Sequence, residues 1–235
     1  MKERIFELLI FDADHTLFDF DRAERDALKK SLEGIRVELT DDMLGEYKRI
    51  NNSLWKKFEK NEILQDLIKE ERFRLLFDSL GINDDHRAFA IDYISRLSDG
   101  SYLLDGALEL LEDLNGEYRM ALLTNGLSEV QHPRFEKSGI SKYFEAFIVS
   151  GDVGVSKPNT MIFNKVLEKT GYIDKQKILM IGDSLTSDML GGINFGIRTC
   201  WYNPDSMPNK TKIKPDYQIE ELSDLRSVLE GEPKK

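Results

Sequence analysis

Short apolar runs that alternate with helical patterns constrain the fold of this chain more than any other feature. Four such runs, bounded by Gly, Asp, Thr or Ser or by charged residues, cover residues 8–11, 120–123, 147–149 and 178–181. Continuous apolar runs of this length are typical of strands buried on both faces of a parallel sheet. A fifth candidate strand covers residues 199–202.

Apolar residues recur with helical spacing between these candidate strands. Strand alternating with helix predicts an α/β fold with a doubly wound parallel sheet. The residues that keep the helical spacing are Leu108, Leu111 and Leu114 before the second strand, and Ile162, Val166 and Leu167 before the fourth.

The stretch from 18 to 100 breaks the alternation, because it contains no convincing strand. A helical stripe of Phe73, Leu76, Phe77 and Leu80 ends at Gly81, and a shorter stripe of Leu54 and Phe58 lies beside Trp55. We therefore predict an α/β core formed by residues 1–17 and 101–235, with a helical cap domain, 18–100, inserted after the first strand. Such an insertion would stand over the carboxyl ends of the strands, where open α/β sheets bind ligands.

Charge and cysteine content exclude several classes of protein. The formal net charge of -10 argues against a general nucleic-acid binder, whose affinity comes from a basic surface. The single cysteine, Cys200, forbids an internal disulfide and favours a reducing, cytoplasmic location. Glu7 interrupts what would be the apolar part of a signal peptide, and no apolar run is long enough to span a membrane.

Polar residues follow the predicted strands where each strand ends. Asp12 and Asp14 come after the first strand, and burial of two like charges is costly unless a cation offsets them. Thr124 and Asn125 follow the second strand and suit either an anion site or a helix N-cap. Lys157 follows the third strand and would either be buried, where it could neutralise a bound phosphate or the carboxylates, or stay exposed like most lysines.

Two more carboxylates, Asp183 and Asp188, follow the fourth strand. Because the carboxyl ends of parallel strands meet at one edge of a sheet, we expect all these side chains to converge there. Oxygen ligands favour Mg²⁺ over zinc, and the three histidines, at 15, 86 and 132, are scattered. The chain has no G-x-x-x-x-G-K-[ST] loop and no G-x-S-x-G elbow.

The chain resembles the haloacid dehalogenase-like (HAD) phosphohydrolase superfamily. The four motifs of that superfamily are matched, in order along the chain, by residues 12–16, 124–125, 157–158 and 182–188. The predicted helical insertion resembles the C1 lid of that superfamily. The resemblance implies a HAD-like, Rossmannoid core. His15 stands where many members have Gly.

Local sequence narrows the resemblance to the YjjG-like pyrimidine 5′-nucleotidase subgroup. The stretches that carry it are residues 11–18, 51–55, 151–158, 191–196 and 199–201. Trp55 could stack on a nucleobase, or it is a core residue of its helix.

The resemblance implies a role for each motif residue. Asp12 would be the nucleophile that becomes an aspartyl phosphate, and Asp14 the general acid and base. Thr124 and the backbone of Asn125 would hold phosphate oxygens, and Lys157 would compensate charge. The predicted catalytic residues are thus Asp12, Asp14, Thr124 and Lys157, and the predicted substrate-binding residues are Thr124, Asn125 and Lys157.

The resemblance also implies a metal site that consists of Asp12, Asp14 through its backbone carbonyl, Asp183 and Asp188, with Mg²⁺ as the cofactor. Asp183 would bind the metal directly, and Asp188 would orient the metal's water or Lys157.

The resulting hypothesis is an Mg²⁺-dependent phosphomonoester hydrolase, a nucleoside 5′-monophosphate phosphatase that prefers pyrimidines such as UMP, dUMP and dTMP. Three alternatives stay open: a phosphatase for sugar phosphates or other small metabolites, a phosphomutase, and a non-catalytic phosphate-binding module. The expected partner is a small phosphate ester, with no nucleic acid and no membrane, and the expected state is a monomer or weak homodimer.

Overall fold

The computed structural model describes residues 4–59 and 62–231. The chain divides into two compact units. The first comprises Met1–Asp19, Leu103–Gly126 and Ser138–Lys235, and the second comprises Phe20–Tyr102 and Leu127–Lys137. The second unit thus includes a segment outside the predicted cap of residues 18–100. Of the predicted domains, residues 1–3, 60–61 and 232–235 lie outside the described residues.

The first unit contains a six-stranded sheet in the order β3-β2-β1-β4-β5-β6, and every pair of neighbouring strands is parallel. This order places β1 and β4 side by side at the point where the winding of the sheet reverses, which is where doubly wound folds bind ligands. The strands are β1 (Leu8–Phe11), β2 (Arg119–Thr124), β3 (Ala146–Val149), β4 (Ile178–Gly182), β5 (Arg198–Tyr202) and β6 (Tyr217–Ile219).

The five strands predicted from apolar runs are confirmed, and the parallel α/β fold with them. Their residues are nearly all buried because helices cover both faces of such a sheet. Cys200 on β5 pairs with Ile181 on β4 and is fully buried. Sequence analysis missed β6, which is short and carries the exposed Gln218 at its centre.

Five helices belong to the first unit in the described part of the chain. In α5, Leu110, Leu111 and Leu114 are buried, whereas Leu108 is 38% exposed, so the predicted stripe of this helix is wrong at Leu108. These helices are α5 (Ala107–Leu114), α7 (Ser150–Val153), α8 (Thr160–Thr170), α9 (Leu190–Phe195) and α10 (Leu225–Glu230).

All the regular secondary structure in the described residues of the second unit is helical. The stripe predicted on its third helix is confirmed, since Phe73, Leu76 and Phe77 are buried and the helix ends at Gly81 in the left-handed conformation, with φ 65°. Trp55 packs against the same hydrophobic cluster and contacts the Phe58 ring edge-on, at 5.7 Å between centroids. The helices are α1 (Phe20–Gly34), α2 (Asp41–Glu59), α3 (Gln65–Leu80), α4 (His86–Leu97) and α6 (Ser128–Lys137).

Tertiary packing in this unit also encloses polar groups. The hydroxyl of Tyr47 donates to that of Tyr93 at 2.8 Å, and the amide of Asn51 donates to Glu24 at 3.1 Å. Within the described residues, no helix combines the length and the apolar character that crossing a membrane would require.

Candidate active site

The pairing of β1 with β4 brings two carboxylates together at the carboxyl edge of the sheet. Phe11 pairs with Ile181, and the backbone N–H of Asp12 continues the ladder by donating to the Ile181 carbonyl at 2.9 Å. Asp183 follows directly after β4. One carboxylate oxygen each of Asp12, Asp183 and Asp188 lies within 4.8 Å of the others. The predicted convergence of these three aspartates therefore occurs.

Asp188 reaches this group from a π-helical turn, Leu185–Met189. Its Oδ2 accepts from the backbone N–H of Ser184 at 3.0 Å, and its own N–H donates to the Ser184 carbonyl at 3.0 Å. These two bonds fix the carboxylate inside the turn. Asp188 is fully buried, so it needs a positive partner.

Lys157 supplies that partner. Its side chain is 1% exposed. The ammonium group donates to Asp12 Oδ1 and, at 2.7 Å, to the Leu123 carbonyl, and it lies 2.7 Å from Asp188 Oδ1. Of the two fates that the sequence left open for this lysine, the buried one is observed. One cation thus joins the ends of β1 and β2 to the turn after β4.

Burial and neighbouring charges shift the pKa values of the ionisable groups at this site. Burial, together with the charges of Asp188 and Asp183, raises the pKa of Asp12 well above its usual range despite the opposing effect of Lys157. Burial and the Asp188 charge raise the pKa of Asp183 to about 7. Burial alone would lower the pKa of Lys157, but the carboxylates of Asp12 and Asp188 raise it above the ordinary value.

The donor set fits a hard divalent cation. Asp12, Asp183 and Asp188 present only oxygen atoms, the ligand type that Mg²⁺ prefers. Three carboxylates with one ammonium leave an excess of negative charge in a buried place, and a divalent cation would compensate it. Asp14 lies outside this cluster of three side chains, and its predicted ligand, the backbone carbonyl, stays a prediction.

The remaining predicted site residues lie at the same edge of the sheet. Thr124 is the last residue of β2 and is 1% exposed. Asn125 follows it, and its side chain bonds both backbone groups of Lys157: Nδ2 donates to the carbonyl at 2.9 Å, and Oδ1 accepts from the N–H at 2.8 Å. Asp14 lies in the turn after β1, partly buried. Their catalytic and substrate-binding roles stay predictions.

A short loop leads from Lys157 to the next helix. Pro158 lies in this loop, and α8 begins at Thr160. The side chain of Asn159 caps the helix by accepting from the Met161 N–H at 2.9 Å.

Three further residues shape the site in ways that were not predicted from the sequence. A Cβ on Gly182 would lie 2.3 Å from Asp188 Oδ2, so this position requires glycine. The indole of Trp201 donates to the Asp183 carbonyl at 2.8 Å. Ser150 Oγ accepts from the Gly126 N–H at 3.1 Å. Only Gly182 had a usable signal, since glycine at a strand end often marks close approach of another group.

A doubly wound α/β unit with a buried acidic cluster at its switch point has the features of a ligand-binding site rather than of a purely structural one. The family model of the haloacid dehalogenase-like hydrolases matches residues 6–196. The chain belongs to this family and is therefore an enzyme, a hydrolase.

Several known proteins are similar to this chain over nearly its full length. The HAD-hydrolase YfnB of Bacillus subtilis is 38% identical over 95% of both chains. Its crystal structure, bound to magnesium, superposes with a TM-score of 0.90 and covers 95% of this chain and 98% of that one. The pyrimidine 5′-nucleotidase PynA of Streptococcus pneumoniae is 35% identical over 96% of this chain and 95% of its own. The pyrimidine 5′-nucleotidase YjjG of Escherichia coli is 32% identical over 95% and 98%.

Proposed function

We propose that this enzyme hydrolyses phosphate monoesters through an aspartyl-phosphate on Asp12, and that its substrates are pyrimidine nucleoside 5′-monophosphates. The observation that carries the proposal is the buried Asp12 carboxylate, which forms an ion pair with the Lys157 ammonium and lies beside Asp183 and Asp188. The similarity to two pyrimidine 5′-nucleotidases supports the substrate class.

The proposed chemistry assigns one role to Asp12 and another to Asp14. An Asp12 oxygen attacks phosphorus, and the bond from phosphorus to the ester oxygen breaks as Asp14 donates a proton to that oxygen. Asp14 then takes a proton from water, whose oxygen displaces Asp12 from phosphorus. The products are the free alcohol and inorganic phosphate, and both aspartates return to their starting state.

Lys157 and the metal site make this attack feasible. Lys157 reduces the repulsion between the Asp12 carboxylate and an incoming phosphate, because its charge is already held beside Asp12. Asp12, Asp183 and the backbone carbonyl of Asp14 would hold Mg²⁺, with Asp188 acting on its water or on Lys157. When bound, Mg²⁺ supplies positive charge at the phosphoryl oxygens.

The two compact units divide the work in this proposal. Every group proposed to bind or attack the phosphate comes from the α/β unit, as Asp12, Thr124 and Lys157 illustrate. We propose that the helical unit acts as the cap and selects the rest of the ester. We also propose a cytoplasmic location, which the single, buried Cys200 supports. We propose that the protein has no nucleic-acid partner, which the net charge of -10 supports, and that it is a monomer or weak homodimer.

The Asp12→Asn variant tests the nucleophile. The amide is a far poorer nucleophile than the carboxylate, so phosphate release from UMP should fall at least about 1,000-fold while the fold is retained. Asp205→Asn, in an exposed loop of the same unit, should keep full activity. Unchanged turnover in Asp12→Asn would exclude Asp12 as the nucleophile.

A panel of phosphate monoesters tests the substrate class. The values of kcat/KM for UMP, dUMP and dTMP should exceed those for sugar phosphates, activity should disappear in EDTA, and Mg²⁺ should restore it. Faster turnover of sugar phosphates would overturn the nucleotidase proposal but leave the phosphatase chemistry intact. Indifference to EDTA would remove the metal from the mechanism.

A further inference from the structure

The side chain of Asn125 closes a two-bond clamp on a single residue 32 positions away in the chain. Nδ2 donates to the Lys157 carbonyl at 2.9 Å, and Oδ1 accepts from the Lys157 N–H at 2.8 Å. Both bonds thus end on the backbone of the residue whose ammonium contacts Asp12. An amide side chain offers one good acceptor and one donor group, and both are engaged here.

The backbone of Gly126, the residue after Asn125, is itself held in place. Ser150 Oγ accepts from the Gly126 N–H at 3.1 Å and lies 3.3 Å from the Gly126 carbonyl, to which it donates. The Gly151 N–H also donates to the Gly126 carbonyl, at 3.2 Å. The loop after β2 is therefore anchored to the end of β3, and Asn125 extends this anchorage to Lys157.

We propose that Asn125 is a positioning residue that acts through Lys157, by fixing the backbone from which the ammonium reaches Asp12 and Asp188. This inference rests on the proposed function and assigns the side chain of Asn125 a task separate from phosphate binding by its backbone. The ammonium makes two hydrogen bonds, to Asp12 and to the Leu123 carbonyl, and an ion pair with Asp188, so a shift of the Lys157 backbone would disturb all three contacts. A displacement of a catalytic group by about 1 Å can cost about 100-fold in rate.

The chain offers a matched control in Asn203. Its Nδ2 donates to the Met207 carbonyl at 3.0 Å, and its Oδ1 accepts from the Met207 N–H at 3.0 Å. Asn203 is 4% exposed and lies in the same compact unit. Asn203→Ala therefore removes the same kind of clamp from a loop that carries none of the proposed catalytic residues.

The first test is amide hydrogen exchange, which needs no catalytic activity. Asn125→Ala should speed exchange of the Lys157 amide by about fivefold or more, because one hydrogen bond is worth roughly 1 kcal/mol, and should leave the Met207 amide unchanged. Asn203→Ala should do the reverse. Unaltered protection of the Lys157 amide in Asn125→Ala would overturn the clamp.

The second test is a double-mutant cycle measured on kcat with UMP. Asn125→Ala should lower kcat about 100-fold in the parent protein but less than about threefold in a Lys157→Met background, because the side chain acts only through Lys157. Asn203→Ala should keep kcat. Equal losses in both backgrounds would overturn the proposal, as would no loss in the parent. If the parent protein hydrolyses no phosphate ester, the proposed function fails, and hydrogen exchange still decides whether the clamp exists.

Discussion

Lys157 illustrates how a single buried charge organises the candidate site. It is the ion-pair partner of both Asp12 and Asp188, and each of those carboxylates is at least nine-tenths buried. Removal of one member of a buried ion pair leaves its partner charged without compensation, which destabilises far more than the pair itself stabilises. The lysine therefore contributes to stability as well as to the proposed chemistry.

The Lys157→Met variant tests this dual role. In EDTA, we expect its free energy of unfolding to fall by about 3–5 kcal/mol, the usual consequence of breaking a buried ion pair. Addition of Mg²⁺ should make this decrease in the free energy of unfolding smaller, since ligands that bind only the folded state stabilise it. Urea denaturation with and without Mg²⁺ measures both effects.

Lys165→Met is the matched control for that experiment. Lys165 lies on α8, and its pair with Glu168 is solvent-exposed, so its removal should change stability by less than about 1 kcal/mol. Equal stability of the Lys157→Met variant and the parent protein would mean that Asp12 and Asp188 carry no uncompensated charge when Lys157 is absent.

At the scale of elements, the junction of β4 with the following turn decides where the acidic cluster forms. The chain leaves the strand at Gly182 and then returns its own Asp188 against that glycine, within 2.3 Å of where a Cβ would lie. Trp201 on β5 pairs with Gly182 and bonds the Asp183 carbonyl from the other side. The packing of β4, the following turn and β5 therefore depends on residue 182 having no side chain.

Substitution Gly182→Ala tests this fit. The added methyl group overlaps the Asp188 carboxylate, which must move away from Ser184 and Lys157, so we expect phosphate release to fall by about 100-fold. Gly45→Ala, within α2 and with no atom within 4 Å of the new Cβ, should retain full activity. Steady-state kinetics on both variants provides the comparison, and normal activity in Gly182→Ala would show that the turn can relax at no cost.

At the scale of the whole molecule, the two compact units have separate hydrophobic clusters. One cluster in the helical unit includes Phe73, Tyr47 and Tyr93, and one in the α/β unit includes Ile162 and Met180. Because each cluster is built from residues of its own unit, local stability can differ between the two.

Large-to-small substitutions within each cluster test this separation. Phe73→Ala should destabilise the helical unit by about 3–5 kcal/mol and speed amide exchange in α2 and α3, while β1 and β4 keep their protection. Ile162→Ala should instead destabilise the α/β unit and speed amide exchange in its strands. Hydrogen exchange with mass spectrometry reads out both variants, and uniform acceleration along the chain would show that the units unfold as one.

The sequence was sufficient for five of the six strands and for the three aspartates that meet at one edge of the sheet, because both are local patterns. Apolar runs such as 8–11 are long enough to reveal a buried strand, and aspartates placed directly after two strands must meet when those strands pair in parallel. The stripe of α5 was misplaced at Leu108 because helical spacing alone admits more than one face. The task of the Asn125 side chain could not be predicted, since it depends on a contact with a residue 32 positions away.

The buried pairing of Cys200 with Ile181 has a practical consequence. Ile181 lies near the end of β4, shortly before Asp183. Cys200 is the single cysteine of the chain, and it is 0% exposed to solvent. A maleimide or disulfide reagent can modify it only in molecules in which this part of the α/β unit has opened enough to expose the thiol. The rate of labelling is thus a built-in gauge of how often this part of the sheet opens, with no engineered probe needed.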